Sequence, residues 1–250
     1  MGHRVKYLYH SGDSYSTPGT KKIYETDEIL PEQHFKSYAD IISEKNNLRL
    51  FDDSIGGGSN DMIMRKFMRF ISHYNDKVDE TLFIINWSYS DRLEYVNSKT
   101  KVWEQLDKHE CLKNVKSKSF AQEFLIHYFT DDYSFETKYR IPIFYLYHFL
   151  HGKGAKFLFS STPEWEWWKF KSPAIVNDVG KLWKSDDFKV PPYNVLSSIN
   201  KKFFIKGIQQ YLKKEHHQSY IDSHPNENGH IYISELMTQK INDLYSLGLK

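Results

Sequence analysis

A serine in the first part of the chain and an aspartate and a histidine in the last part have the types needed for nucleophilic catalysis. Ser14 closes the motif Gly12-Asp13-Ser14, which follows a β-like run at residues 5–9. Asp222 and His224 lie two residues apart. A serine hydroxyl becomes a nucleophile when a neighbouring base takes its proton and a third group orients that base. These residues predict Ser14 as the nucleophile, His224 as the base and Asp222 as the orienting carboxylate.

The same chemistry needs hydrogen-bond donors for the oxyanion that forms on the attacked carbonyl group. Three glycines at residues 56–58 follow a second β-like run at residues 48–51. Glycine lets the backbone approach a ligand closely, so we expect one of these amides to act with the amide of Ser14. Asn86 and Asn60 are candidates for a further donor from a side-chain amide. For Asn86, an ordinary hydrogen-bonding role at the end of a strand is the alternative.

Strand-like and helix-like segments alternate along the chain, and this alternation decides how the candidate groups could meet. The strand-like segments are residues 5–9, 48–51, 81–85, 154–161 and 219–221. The helix-like segments are residues 31–45, the stretch after Ser59, most of 93–152, residues 200–215 and the end of the chain. Such alternation is typical of a parallel α/β sheet covered on both faces, in which ligands bind at the carboxyl ends of the strands.

The composition limits the classes of partner. With 34 basic and 32 acidic residues, the net charge of +2 gives no bias towards nucleic acid or membrane surfaces. No segment approaches the roughly 20 apolar residues of a membrane span, and Arg4 and Lys6 interrupt the early apolar run, so no signal peptide is predicted. The single cysteine, Cys111, excludes an internal disulfide and fits a reducing compartment. We expect a cytoplasmic protein without nucleic-acid partners.

Taken in order, the motifs resemble those of the SGNH hydrolases, also called GDSL-like esterases. Gly12-Asp13-Ser14 matches their first block, and residues 54–59 match the second, with Gly57 at the position of the family glycine. Asp222-Ser223-His224-Pro225 matches the last block, which precedes a final helix. Thr162-Pro163, after the fourth strand-like segment, also has parallels in the family.

The resemblance implies a flavodoxin-like α/β/α sandwich with a parallel sheet of about five strands. It implies one domain over residues 1–250, with helical insertions at roughly 93–152 and 164–216. It further implies a serine hydrolase without metal or cofactor whose substrate is a small-molecule or glycan ester, such as a carbohydrate O-acyl group or another carboxylic ester. A non-catalytic binding module with the same pocket and an O-acyltransferase are the alternatives.

The chain departs from the family pattern at two places. The family aspartate commonly stands three residues before the histidine, a position that Ile221 occupies here, whereas Asp222 precedes His224 by two. Some relatives that act on polysaccharides share this shorter spacing. The third block, Gly-x-Asn-Asp, is absent, and aligning the strand ends places Ser88 and Ser90 at its glycine and asparagine. The third oxyanion donor therefore stays open.

Three further side chains are candidates for contact with a substrate. Arg65 follows the glycine run and Arg92 follows the third strand-like segment, so either could bind an anionic group. Solvation or ion pairing on the protein surface is the alternative for both. Trp165 follows the fourth strand-like segment and could stack on a sugar ring, although packing explains it equally well. The histidines near His224 match no metal-ligand spacing, so we expect no metal site.

Overall fold

The computed structural model describes residues 5–22, 29–89, 92–107, 136–163, 199–205 and 207–250. Nine strands and four α-helices lie within these ranges. The strands are β1 (Tyr7–Ser11), β2 (Gly19–Lys22), β3 (Ile29–Phe35), β4 (Arg49–Asp52), β5 (Thr81–Trp87), β6 (Arg92–Val96), β7 (Trp103–Asp107), β8 (Lys156–Ser161) and β9 (Phe204–Ile205). The helices are α1 (Tyr38–Lys45), α2 (Asn60–Tyr74), α3 (Ile141–Gly152) and α4 (Glu227–Tyr245).

Five strands form the central sheet, in the order β4-β1-β5-β8-β9, and all neighbours are parallel. All seven residues of β5 are buried, as expected for a strand covered on both faces. The strand order reverses at β1, because β4 pairs with one of its sides and β5 with the other. This is the flavodoxin-like order, in which ligands bind outside the carboxyl ends of the strands at the reversal point. The predicted parallel sheet of about five strands is confirmed.

The sheet separates two apolar layers because successive side chains of a strand point to opposite faces. Leu8 of β1 and Leu82 of β5 pack with α1 and α4 on one face. The next residues along each strand, Tyr9 and Phe83, pack with α2 and α3 on the other face. The predicted three-layer α/β/α sandwich is therefore confirmed.

Side-chain caps mark where the helices begin. Ser37 caps α1 by accepting the backbone N–H of Asp40 at 3.2 Å, and Ser59 caps α2 in the same way. Asn226 caps α4 by accepting the backbone N–H of Gly229 at 2.9 Å. Across the described ranges, no helix has both the length and the apolar character needed to cross a membrane. The cytoplasmic location stays a prediction.

The first predicted helix is shorter than the sequence suggested. Residues 31–35 belong to β3, which pairs antiparallel with β2, and α1 begins only at Tyr38. Ser37 and Asp40 form a capping box, in which each side chain accepts the other residue's backbone N–H. This box fixes the start of the helix after the strand has ended.

The segment before the last helix also differs from the prediction. Residues 200–215 were predicted as a helix, but the described residues of this range form three short 3-10 turns, and β9 lies between the first two. Gly207 lies within this segment, where a glycine disfavours a continuous helix. Residues 219–221, predicted as a strand, form a turn, so the fifth strand of the sheet is β9.

The predicted helical insertion after the third sheet strand is wrong at its beginning. Residues 92–107 form the antiparallel hairpin β6–β7, in which Glu94 faces α2 and pairs with Arg65. Helix is present at α3, in the last part of the predicted range. Residues 108–135 and 164–198 lie outside the described residues. The extent of both insertions and the limits of the domain therefore stay predictions.

Candidate active site

The structure brings the three predicted catalytic side chains into one hydrogen-bonded chain. Ser14 Oγ lies 2.8 Å from His224 Nε2, and His224 Nδ1 lies 2.6 Å from Asp222 Oδ1. An ionised carboxylate only accepts hydrogen bonds, so Nδ1 carries a proton and Nε2 can accept from the Ser14 hydroxyl. This geometry suits activation of a serine by a general base.

Ser14 lies in a tight turn after β1, here called the nucleophile turn (residues 13–16). The backbone N–H of Ser16 donates to the carbonyl oxygen of Asp13 at 2.9 Å and closes the turn. A Cβ atom on Gly12 would stand 2.2 Å from Ser16 Oγ, so glycine is required for this close approach. The Gly12 carbonyl accepts the backbone N–H of Ile55 at 3.1 Å. That bond joins the residue just before the nucleophile turn to the glycine loop (residues 54–58).

Asp222 and His224 belong to the histidine loop (residues 217–225), which its own hydrogen bonds hold closed. The backbone N–H of Gln218 donates to the His224 carbonyl at 2.8 Å, and that of Asp222 donates to Ser219 Oγ at 3.1 Å. Asp222 Oδ1 also accepts the backbone N–H of His224 at 3.0 Å. One carboxylate oxygen thus binds both the ring and the backbone of His224. An aspartate two residues before the histidine is therefore close enough to orient the imidazole.

Tyr15 supports His224 from the side, a contact that the sequence analysis missed. The two rings lie 4.7 Å apart, centre to centre, and the Tyr15 hydroxyl lies 2.7 Å from Ser223 Oγ. Burial raises the pKa of Tyr15 to about 12, so the phenol keeps its proton near neutral pH. Tyr15 therefore links the nucleophile turn to the histidine loop. Its position directly after Ser14 was the available sequence signal.

The backbone amides of Ser14 and Gly57 stay candidates for donating hydrogen bonds to an oxyanion. Within the part of the chain that the structure describes, the N–H groups of Ser14 and Gly57 donate to no other backbone group. Gly57 has a φ of +74°, a conformation that favours glycine, and it is exposed. The bond between Ile55 and Gly12 keeps the glycine loop beside the nucleophile turn.

Both side-chain amides that the sequence suggested as oxyanion donors are engaged inside the protein. Asn86 is fully buried, and its Nδ2 lies 2.8 Å from Thr162 Oγ1 and 3.4 Å from Asp13 Oδ1. Asn60 binds the backbone of Ser88, with its Oδ1 accepting the N–H at 2.8 Å and its Nδ2 donating to the carbonyl at 3.1 Å. The structure therefore does not support Asn86 as an oxyanion donor. The sequence located these residues at element ends but not the groups that surround them.

Asp13 anchors the nucleophile turn through a fully buried carboxylate. It accepts from Thr162 Oγ1 at 2.8 Å, from Ser88 Oγ at 3.0 Å and from the backbone N–H of Tyr15 at 3.1 Å. Arg92 Nη1 lies 3.3 Å from its second oxygen. Burial raises the pKa of Asp13, while the Arg92 charge and the hydrogen bonds act in the opposite direction. Groups at the ends of β5 and β8 and at the start of β6 thus fix the turn that carries Ser14.

The structure gives the predicted substrate-binding arginines internal partners. Arg65 donates to both oxygens of Glu94, at 2.8 and 2.6 Å. Arg92 pairs with Asp13 beneath the nucleophile turn, and its side chain is only 14% exposed. The guanidinium groups of both arginines are thus engaged with carboxylates of the protein, so neither is retained as an anion-binding group. Trp165 lies outside the described residues.

No group of three or more His, Cys, Asp or Glu side chains in the described ranges could hold a metal ion. The histidines near His224 lie in separate surroundings. His216 stacks on Tyr232, with ring centres 4.9 Å apart, whereas His230 is buried and packs on Tyr38.

Comparisons with known proteins add little to this picture. No protein-family model and no curated protein matches the chain. One similar solved structure is an acetyl xylan esterase from the rumen bacterium Butyrivibrio proteoclasticus, with 11% identity and a TM-score of 0.41. The match covers 98% of this chain and 65% of that one, so this chain spans about two thirds of its length.

A second similar structure is an α/β hydrolase enzyme from the metagenome of Lake Arreo, Spain. The identity is 11% and the TM-score 0.45, with 98% of this chain and 99% of that chain covered. At these TM-scores, neither likeness carries an argument about the chemistry of the site. That argument depends on the geometry around Ser14.

Proposed function

We propose that this protein is a serine esterase of the SGNH type that cleaves a carboxylic ester through an acyl-enzyme on Ser14. The observation that carries the proposal is the chain from Ser14 through His224 to Asp222, with contacts of 2.8 and 2.6 Å. The first distance suits proton transfer from Ser14 to His224, and the second suits a hydrogen bond that orients the imidazole. The order of the motifs along the chain supports the same family.

In the first half-reaction, Ser14 Oγ attacks the acyl carbon of the ester while its proton passes to His224 Nε2. The carbonyl oxygen becomes an oxyanion that accepts hydrogen bonds from the amides of Ser14 and Gly57. Collapse of this intermediate breaks the bond to the leaving oxygen, which receives the proton from His224 and departs as an alcohol. Asp222 holds the imidazole in place and stabilises its positive charge.

In the second half-reaction, water attacks the acyl group on Ser14. His224 takes a proton from the water, and the intermediate collapses with Ser14 Oγ as the leaving group. The proton returns to Ser14 and the carboxylic acid is released. The protein then has the protonation states with which it began.

We infer that the substrate is a carbohydrate O-acyl ester or another carboxylic ester. The SGNH resemblance supports this class. The exposure of His224 and Asp222 also suits an enzyme that takes its substrate from solvent, since the side chain of His224 is 37% exposed and that of Asp222 only 18%. A substrate can therefore reach the base from solvent while the orienting carboxylate stays shielded.

A non-catalytic binding module is the second candidate, and one observation favours it. The side-chain amides of Asn86 and Asn60 both donate to groups inside the protein, so neither is free to bind the oxyanion. Loss of one such donor costs an enzyme about 10²–10³-fold in kcat. A module of this kind would keep the contact between Ser14 and His224 but show no turnover.

Hydrolysis of p-nitrophenyl acetate separates the two candidates. The esterase proposal predicts turnover by the wild type and background rates for Ser14→Ala and His224→Ala. Ser72→Ala is the matched control, because Ser72 is an exposed serine of α2 that bonds to the Arg69 carbonyl of its own helix. Absence of turnover in the wild type, or equal turnover by Ser14→Ala, would favour the binding module.

A further inference from the structure

A second chain of polar side chains ends two residues after Ser14. Asp52 Oδ1 lies 2.9 Å from His10 Nδ1, and His10 Nε2 lies 2.9 Å from the Tyr38 hydroxyl. The Tyr38 hydroxyl in turn lies 2.8 Å from Ser16 Oγ. His10, Tyr38 and Ser16 are fully buried. The proposed reaction uses none of these groups.

The ability of each group to donate or accept a hydrogen bond shows which atoms of this chain of side chains carry protons. Burial alone would raise the pKa of Asp52, but the charge and hydrogen bond of His10, with bonds from Ser54, lower it to about 2. The ionised carboxylate accepts, so His10 Nδ1 donates. Burial raises the pKa of Tyr38, which keeps its proton. For a neutral imidazole, Tyr38 donates to His10 and accepts from Ser16; for a charged imidazole, both bonds reverse and both persist.

Tyr38 is held in place by contacts with two histidines. Its backbone N–H donates to His230 Nδ1 at 3.2 Å, and its ring stacks on that of His230 with centres 5.9 Å apart. The ring of His10 meets it edge-on at 4.9 Å. Because His230 belongs to α4 and His10 to β1, the Tyr38 hydroxyl has a fixed position relative to both elements. These contacts place the hydroxyl where it can hold Ser16.

That group, Ser16, is part of the nucleophile turn. Its backbone N–H closes the turn on Asp13, and its Oγ lies against Gly12, where a Cβ would come within 2.2 Å. Asp13 anchors one side of the turn in the network with Thr162 and Ser88, and Ser16 anchors the other side on α1. A shift of Ser16 would therefore move the backbone that carries the nucleophile.

We propose that Tyr38 is a positioning residue for catalysis: by holding Ser16, it keeps Ser14 Oγ within hydrogen-bond distance of His224 Nε2. This inference rests on the proposed function. Tyr38 does not touch the reacting atoms, so its effect is on their placement. Small misplacement of reacting groups lowers the rate of the chemical step while substrate binding is retained. The signature is a lower kcat with an unchanged KM.

Steady-state hydrolysis of p-nitrophenyl acetate by Tyr38→Phe tests this role. We expect kcat to fall about 10-fold, with KM changed by less than about 2-fold. Tyr9→Phe is the matched control, because Tyr9 is equally buried but packs on the opposite face of the sheet. Its kcat should equal that of the wild type. Urea unfolding of each variant separates an effect on stability from an effect on kcat.

Ser16→Ala provides a second variant, which decides the matter if Tyr38→Phe fails to fold. It should lower kcat as Tyr38→Phe does. The kcat of the double variant should be no lower than that of either single variant, because both substitutions remove the same contact between Tyr38 and Ser16. If the wild type is active and these variants keep its kcat, the inference about Tyr38 is overturned but the proposed function is not. Losses that multiply in the double variant would also overturn only the inference. A wild type without turnover would overturn the proposed function as well.

Discussion

His230 should make the stability of this fold depend on pH. Burial lowers the pKa of His230 to about 3, with a smaller contribution from His10, and the residue is only 1% exposed. Its Nδ1 accepts the backbone N–H of Tyr38 at 3.2 Å, which only an unprotonated nitrogen can do. The folded protein therefore excludes a proton that the unfolded chain takes up below about pH 6.5.

The sign of the effect follows from proton linkage. Between about pH 6.5 and pH 3 the unfolded state binds more protons than the folded state, so the free energy of unfolding falls as the pH falls. Each pH unit within this window is worth about 1.4 kcal/mol. From pH 7 to pH 5, His230 alone should remove about 2 kcal/mol.

Urea unfolding at pH 7 and pH 5 measures this loss. In His230→Asn the carboxamide oxygen can accept the Tyr38 N–H in place of Nδ1, and it does not titrate. Between pH 7 and pH 5, we expect the free energy of unfolding of this variant to fall by about 2 kcal/mol less than that of the wild type. His73→Asn, at an exposed histidine of α2, should behave as the wild type does. Equal pH dependence in wild type and His230→Asn would refute the reasoning.

Three other substitutions test the site. Asn86→Ala should lower the free energy of unfolding by about 1–3 kcal/mol in urea titrations, because it leaves buried partners unpaired, yet the variant should still react with a serine-directed probe. Asp222→Asn should lower kcat for p-nitrophenyl acetate by about 10³–10⁴-fold, because His224 loses its orienting carboxylate; an intact kcat would exclude that role. Gly12→Ala should destabilise the protein to urea, since its Cβ would overlap Ser16 Oγ; wild-type stability would contradict the packing of the turn.

The sequence was sufficient to predict the buried strand β5, because residues 81–85 form a continuous apolar run followed by polar residues. Burial on both faces produces that pattern, and it requires no knowledge of distant contacts. The hairpin β6–β7 was missed because Glu94 is polar but buried, where it pairs with Arg65 of α2. A pattern of polar and apolar residues does not reveal such a pair.

For the site, the sequence identified residues whose types are distinctive, and the structure brings Ser14, Asp222 and His224 together. It placed Asn86 at the end of a strand, but it could not show which neighbours the side chain of Asn86 meets. In the structure those neighbours are Thr162 and Asp13, which belong to other parts of the chain.

The sequence also could not predict the hydrogen-bonded chain of side chains through Tyr38. Its members His10, Tyr38 and Asp52 come from β1, α1 and β4, and none lies in a recognisable motif. Each residue alone resembles an ordinary core or loop residue. Only the parallel pairing of β1 with β4, which sets His10 beside Asp52, makes the chain visible.

Covalent labelling by a fluorophosphonate, with the modified residue located by mass spectrometry, tests the central claim most directly. A fluorophosphonate traps a serine whose hydroxyl is activated by a base. The proposed function predicts one adduct per chain, on Ser14, and none on Ser14→Ala, with slow labelling of His224→Ala. An unlabelled wild type, or an adduct that persists in Ser14→Ala, would contradict it.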